Sequence, residues 1–105
     1  MRTQWRFSGC NGAERRRIVN AWQEARLGLE ARLNEVDTDR VDVLFAISHR
    51  DGERPWQIKG RVCLSAKPYI AHVQSDEPLV ALDECVGQIV DQIACGMVTP
   101  RERVA

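Results

Sequence analysis

The most restrictive stretch of this 105-residue chain runs from Tyr69 to Ile93, where the apolar period changes across one tight turn. Before the turn, Tyr69, Ala71 and Val73 alternate with Ile70 and His72, the two-residue period of a strand. After it, Leu79, Leu82, Val86, Ile89, Val90 and Ile93 recur three and four residues apart and form one apolar stripe of a helix. Ser75-Asp76-Glu77-Pro78 between them reads as a helix start. Ser75 or Asp76 supplies an N-cap oxygen for an otherwise unpaired N–H of the first turn. Asp76 and Glu77 put negative charge where the helix dipole is positive, and proline is tolerated only near a helix start. A strand that turns directly into a long amphipathic helix must lay that helix back on its own sheet.

The preceding residues supply the rest of that sheet. Residues 3 to 8 alternate, with Trp5 and Phe7 on one side and Gln4, Arg6 and Ser8 on the other. Ser8-Gly9-Cys10-Asn11-Gly12 breaks the strand, and Asn11 with Glu14 forms an approximate capping box. From Ala13 to about Val36, Ile18, Trp22, Ala25, Leu29, Leu33 and Val36 make the stripe of a first helix, with Leu27 projecting to the opposite side. Asp37-Thr38-Asp39 ends it. Arg40 to Ser48 is a second strand, with Val41, Val43, Phe45 and Ile47 on one face. Asp51-Gly52 marks a hairpin loop through positive φ. Trp56 to Ser65 returns with Ile58, Val62 and Leu64 inward and Lys59, Arg61 and Cys63 outward. Ala66-Lys67-Pro68 turns into the strand Tyr69 to Gln74, and the last helix runs to about Gly96, before Thr99-Pro100.

The order is β-α-β-β-β-α. Every strand has one apolar face and both helices need an apolar surface to cover. The expected fold is therefore a two-layer α+β domain, a four-stranded mixed sheet with both helices packed on one face. The first strand joins its neighbour through a right-handed crossover, which makes that pair parallel, and the later strands form an antiparallel meander. Residues 1–98 are expected to form this single domain and 99–105 a flexible C-terminal tail.

A composition of 44% hydrophobic and 29% charged residues is that of a globular chain. No apolar run approaches the roughly 18 residues of a membrane span. Trp5-Arg6-Phe7 goes straight into a strand pattern in place of a signal peptide, so the expected location is cytoplasmic, with no membrane partner. Cys10, Cys63, Cys85 and Cys95 are widely spaced and contain no C-x-x-C pair, so they read as reduced thiols, with no metal site and no cofactor. No nucleophile elbow, phosphate-binding loop, zinc-protease or dinucleotide motif is present, and the chain is not read as an enzyme. Cys63 and His72, on adjacent strands of one face, are the nearest approach to a nucleophile–base pair.

With Phe7-Ser8-Gly9 ahead of a long helix carrying Leu29-Glu30-Ala31-Arg32-Leu33, and Ala71-His72-Val73 leading through Ser75-Asp76-Glu77-Pro78 into Ala81-Leu82-Asp83, the chain resembles the ribosome hibernation-promoting factor family, the relatives of ribosome-associated inhibitor A (protein Y). The resemblance covers nearly the whole chain. It implies a translation regulator that binds small-subunit ribosomal RNA in the decoding channel and blocks translation under stress, with the small ribosomal subunit as partner. Such a role needs phosphate contacts from Arg and Lys.

Arg6, Lys59, Arg61 and His72 should project from the helix-free side of the sheet, and Arg15, Arg16 and Arg17 from the first helical turn. These seven are the candidate RNA-binding residues. Trp56, beside Pro55, is either a stacking platform for a base or a cover for the sheet edge. The last helix departs from the family pattern. Where the family carries Lys and Arg, this chain offers Asp83, Glu84, Gln88, Asp91 and Gln92, and its 15 basic and 15 acidic residues cancel. A second reading follows from that neutrality. It is a repurposed member of the same fold that pairs with a protein partner or with itself, through the open sheet or the acidic last helix, without binding ribosomes.

Overall fold

The computed structural model describes residues 1–33, 41–53, 55–64 and 67–97. The elements are β1 (Arg2–Ser8), α1 (Gly12–Arg32), β2 (Val41–His49), β3 (Trp56–Leu64), β4 (Lys67–Ser75) and α2 (Pro78–Met97). The sheet has the order β1-β2-β3-β4, with β1 parallel to β2 and the other pairs antiparallel. The expected α+β architecture is the observed one. Because β1, β2 and β4 run the same way, α1 and α2 both start at one end of the sheet.

One face of the sheet and one stripe of each helix enclose the core. Val41, Val43, Phe45 and Ile47 of β2 and Ile58 and Val62 of β3 are buried against Ile18, Trp22 and Leu29 of α1 and Leu33 just beyond it. Leu82, Cys85, Ile89 and Ile93 supply the α2 side. The Trp22 ring meets Phe45 edge-on, centroids 4.8 Å apart, and Phe45 also stacks on Trp5 at 5.0 Å. Thr3 completes this corner by accepting the Trp22 indole N–H at 3.1 Å. Leu27, off the stripe, is exposed as expected.

The ends of the elements follow local chemistry. Asn11 caps α1 with both halves of the capping box: its side chain accepts the Glu14 N–H, and the Glu14 carboxylate accepts the Asn11 N–H. Gly9 stands at φ +72° with its Cα against the His49 carbonyl, where a side chain would collide with backbone. Gly52 takes positive φ in the β2–β3 loop, closed by Arg50 N–H donating to the Pro55 carbonyl.

Several boundaries differ from expectation, three of them for reasons of local chemistry. β4 begins at Lys67, so Lys67 and Pro68 are strand and not turn; an edge strand tolerates proline because its outer side needs no N–H. α2 begins at Pro78, and Ala81 N–H donates to the Glu77 carbonyl, which puts the cap at Glu77. Ser75 acts one step earlier, its hydroxyl accepting the Glu77 N–H at 3.3 Å. α1 ends at Arg32 with Leu33 as its C-cap. The expected last turn through Val36, the Asp37-Thr38-Asp39 break, Thr99-Pro100 and the tail 101–105 lie outside the described residues.

Candidate nucleic-acid interface

Neither α1 nor α2 lies on the second face of the sheet, and strand parity decides what it displays. Side chains at alternate positions share a face, and in-register strands bring them into rows across the sheet, with neighbours in a row about 4.8 Å apart. One row runs Arg6, Ala46, Lys59, His72 across all four strands. The next row runs Gln4, Leu44, Arg61, Ile70, and the one beyond it Arg2, Asp42, Cys63, Pro68. On the other side lies Ser8, Ser48, Gln57, Gln74. Arg6, Lys59, Arg61 and His72 are all exposed.

Small side chains between the large cations leave room. Arg6, Ser8, Ala46, Ser48, Gln57, Lys59 and His72 line an open depression of about 250 Å³. Arg2, Gln4, Asp42, Leu44, Arg61 and Cys63 line a second, of about 280 Å³. Asp42, the one carboxylate of this face among the described residues, is engaged by Arg2 at 3.4 Å. Among the described residues no carboxylate lies within ion-pair distance of Arg6, Lys59 or Arg61. The face therefore presents cations, hydroxyls and amides in a chain whose total charge is zero. That set of donors suits phosphate and sugar oxygens.

Of the seven predicted residues, the structure brings four together on this face. Arg15, Arg16 and Arg17 sit instead on the helix layer, at the start of α1. The Arg15 guanidinium lies over the Phe7 ring, 5.4 Å from its centroid. Arg17 borders a shallow groove with Asn20, Glu24 and Leu79. The three exposed cations at the positive end of the α1 dipole form a second basic surface, at the end of the molecule where β1 finishes.

Two alternatives that the sequence leaves open are closed. Cys63 and His72 do not meet: Lys59 is the partner of His72 and Pro68 that of Cys63, four residues apart along the strand, or about 13 Å. Trp56 is no platform for a base. It is 5% exposed, and His49 already stacks on it, centroids 4.2 Å apart and planes within 4°. The Glu14 carboxylate lies beside His49, Oε2 3.8 Å from Nδ1. Sequence reasoning missed Arg2 and the polar residues Ser8, Ser48 and Gln57. Their parity with Arg6 and Lys59 is the available signal, and a β1 that starts at residue 3 hides Arg2.

α2 stands on the other side of the sheet and carries no Lys or Arg between Pro78 and Met97. Asp83, Glu84 and Asp91 are exposed on it. Burial pushes the Cys85 thiol on its inner side up to about 11, and the thiol of buried Cys10 is raised by the same cause, with Glu14 adding to it. Neither is a nucleophile at neutral pH. Among the described residues no group of three or more His, Cys, Asp or Glu could hold a metal ion, and no helix is long and apolar enough to cross a membrane.

No family model matches the chain, and neither does any curated protein sequence. Solved structures do match. The Thermus thermophilus protein Y N-terminal domain superimposes with a TM-score of 0.59 over 89% of this chain and 96% of its own. The fold is that of the protein Y N-terminal domain. A ribosomal subunit interface protein from Coxiella burnetii matches with a TM-score of 0.57, over 90% of this chain and 98% of its own. Sequence identities of 14% and 12% mean that protein Y and its neighbour share this chain's architecture with few of its residues.

Proposed function

We infer that the chain is a ribosome-associated translation regulator of the hibernation-factor type, and that its open sheet face holds small-subunit ribosomal RNA by phosphate contacts. The observation that carries this reading is the row Arg6–Lys59–His72, with Arg61 in the next row, on the face that neither α1 nor α2 covers. The protein Y fold supports the ribosome as the setting. Arg15, Arg16 and Arg17 contribute a second set of contacts from the end of the helix layer, so that RNA passes around that end of the sheet. Lodged in the decoding channel, the protein occupies the sites of messenger and transfer RNA, and the block is steric. No bond is made or broken, and the protein is not an enzyme. Its place of action is the cytoplasm, and stress is when idle ribosomes need it.

With a net charge of zero, long-range steering toward RNA is weak and affinity depends on short-range contacts. Each phosphate contact releases counterions, so binding weakens as salt rises. The test is sedimentation of the protein with small subunits through a sucrose gradient at low salt. Wild type is expected in the subunit fractions and Lys59→Ala/Arg61→Ala at the top of the gradient. Wild type that stays at the top at low salt contradicts the reading.

A further inference from the structure

The charges of this molecule cancel in number but not in place. The open sheet face carries Arg2, Arg6, Lys59 and Arg61 against the single Asp42. The outer side of α2 carries Asp83, Glu84 and Asp91 with no cation on the helix. The two surfaces lie on opposite sides of a slab measuring 44 × 30 × 20 Å. We propose that they are complementary halves of one interface, in which the acidic outer side of α2 of one copy docks on the basic open sheet face of a second copy.

Spacing supports the pairing. Glu84 and Asp91 are seven residues apart, about 10 Å along a helix. Arg6 and Lys59 share a row two strands apart, also about 10 Å. An α2 laid across the strands brings each carboxylate to one cation. Both surfaces also offer apolar area to desolvate. Ile70 is 47% exposed on the sheet, and Val80 is 49% exposed on the same stripe of α2 as Glu84 and Asp91. A broad face of this slab is large enough for the roughly 800 Å² per partner of a standard interface. Zero net charge removes the mutual repulsion that keeps many small domains apart.

The interface joins unlike surfaces, so each docked pair leaves one free surface of each kind, and association is head-to-tail and open-ended. It also covers Arg6 and Lys59. Self-association and RNA binding then exclude each other, and the assembled form is a store of protein that cannot engage a ribosome. The docking itself stands apart from the RNA reading; only this competition rests on it.

The test is the mass of the full chain by analytical ultracentrifugation at low and high salt, using neutralising variants at exposed positions. Wild type is expected to grow in mass with concentration at low salt and to be monomeric at high salt. Arg6→Gln/Lys59→Gln and Glu84→Gln/Asp91→Asn are each expected to be monomeric alone. Mixed in equal amounts they should give a capped 1:1 dimer, because the intact α2 of the first meets the intact sheet of the second. A monomeric wild type at low salt, oligomers in either variant alone, or a mixture that stays monomeric would each overturn the proposal. Small-subunit ribosomal RNA added to wild-type oligomers is expected to disperse them. RNA that binds without dispersing them, while the mixed variants still form the dimer, removes the sheet as the RNA surface and leaves the docking intact.

Discussion

Lys59 lies directly opposite His72 across the β3–β4 pair, on the face of the sheet that neither α1 nor α2 covers. Arg6 is in the same row two strands away. On the proposed reading these cations contact the phosphate backbone, which carries affinity with little sequence preference. Lys59→Glu is therefore expected to weaken binding to unrelated single-stranded RNAs by a similar factor, about tenfold or more at low salt. Fluorescence anisotropy with two RNAs of different sequence measures this; loss confined to one sequence would point to base readout.

Gly60 sits beneath Cys85. A Cβ at Gly60 would lie 2.7 Å from Cys85 Sγ, 3.0 Å from Ile89 Cδ1 and 3.1 Å from Phe45 Cε1. The missing side chain is what lets α2 settle onto the middle of β3. Gly60→Ala should destabilise the fold by about 1–3 kcal/mol through overpacking. In a Cys85→Ala background the same change should cost less, since the nearest atom is gone. A urea-denaturation double-mutant cycle reads the coupling, and strict additivity would contradict it.

β1 is an edge strand, and the Thr3 hydroxyl ties it to α1 by accepting the Trp22 indole N–H. Thr3→Val keeps the shape but leaves that N–H unpaired on a side chain only 1% exposed. The expected cost is about 1–3 kcal/mol, and Thr3→Ser should recover most of it. Thermal unfolding of the two variants is the check.

The Cys85 thiol, pushed up to about 11 by burial, gives stability a defined dependence on alkaline pH. Below its ordinary value near 9, both folded and unfolded chains keep the proton and this group contributes no pH dependence. From there to about 11 the unfolded chain ionises while the folded one does not, so stability falls, by about 2–3 kcal/mol in all. Urea midpoints between pH 8 and pH 11 should drop further for wild type than for Cys85→Ala. Equal losses in both would assign the effect to other groups.

The sequence shows most of the architecture because the strand and helix periods are clean. Tyr69 to Ile93 alone defines the strand–turn–helix unit, and the Asn11–Glu14 capping box is visible as residue types at the right offset. Residue types alone place the α2 cap up to two residues early, because Ser75 caps a turn ahead of the helix and not the helix itself. Lys67 and Pro68 read as turn because proline does; only their place on a sheet edge makes them strand. The outward direction of Lys59 and Arg61 follows from alternation, but their alignment with Arg6 and His72 depends on register, which no single strand encodes. The same register separates Cys63 from His72. The stacking of His49 on Trp56 and the approach of Cys85 to Gly60 are tertiary contacts without any local signal.

The central claim is that Lys59 and Arg61 hold ribosomal RNA by its phosphates. The most direct measurement is the affinity for isolated small ribosomal subunits across a series of salt concentrations, for wild type and for Lys59→Ala/Arg61→Ala. Removing one cation from a phosphate reduces the slope of log affinity against log salt by about 0.7–0.9. Removing both should flatten the slope by about 1.5 and weaken binding at low salt. A variant with the wild-type slope and the wild-type affinity would contradict the claim.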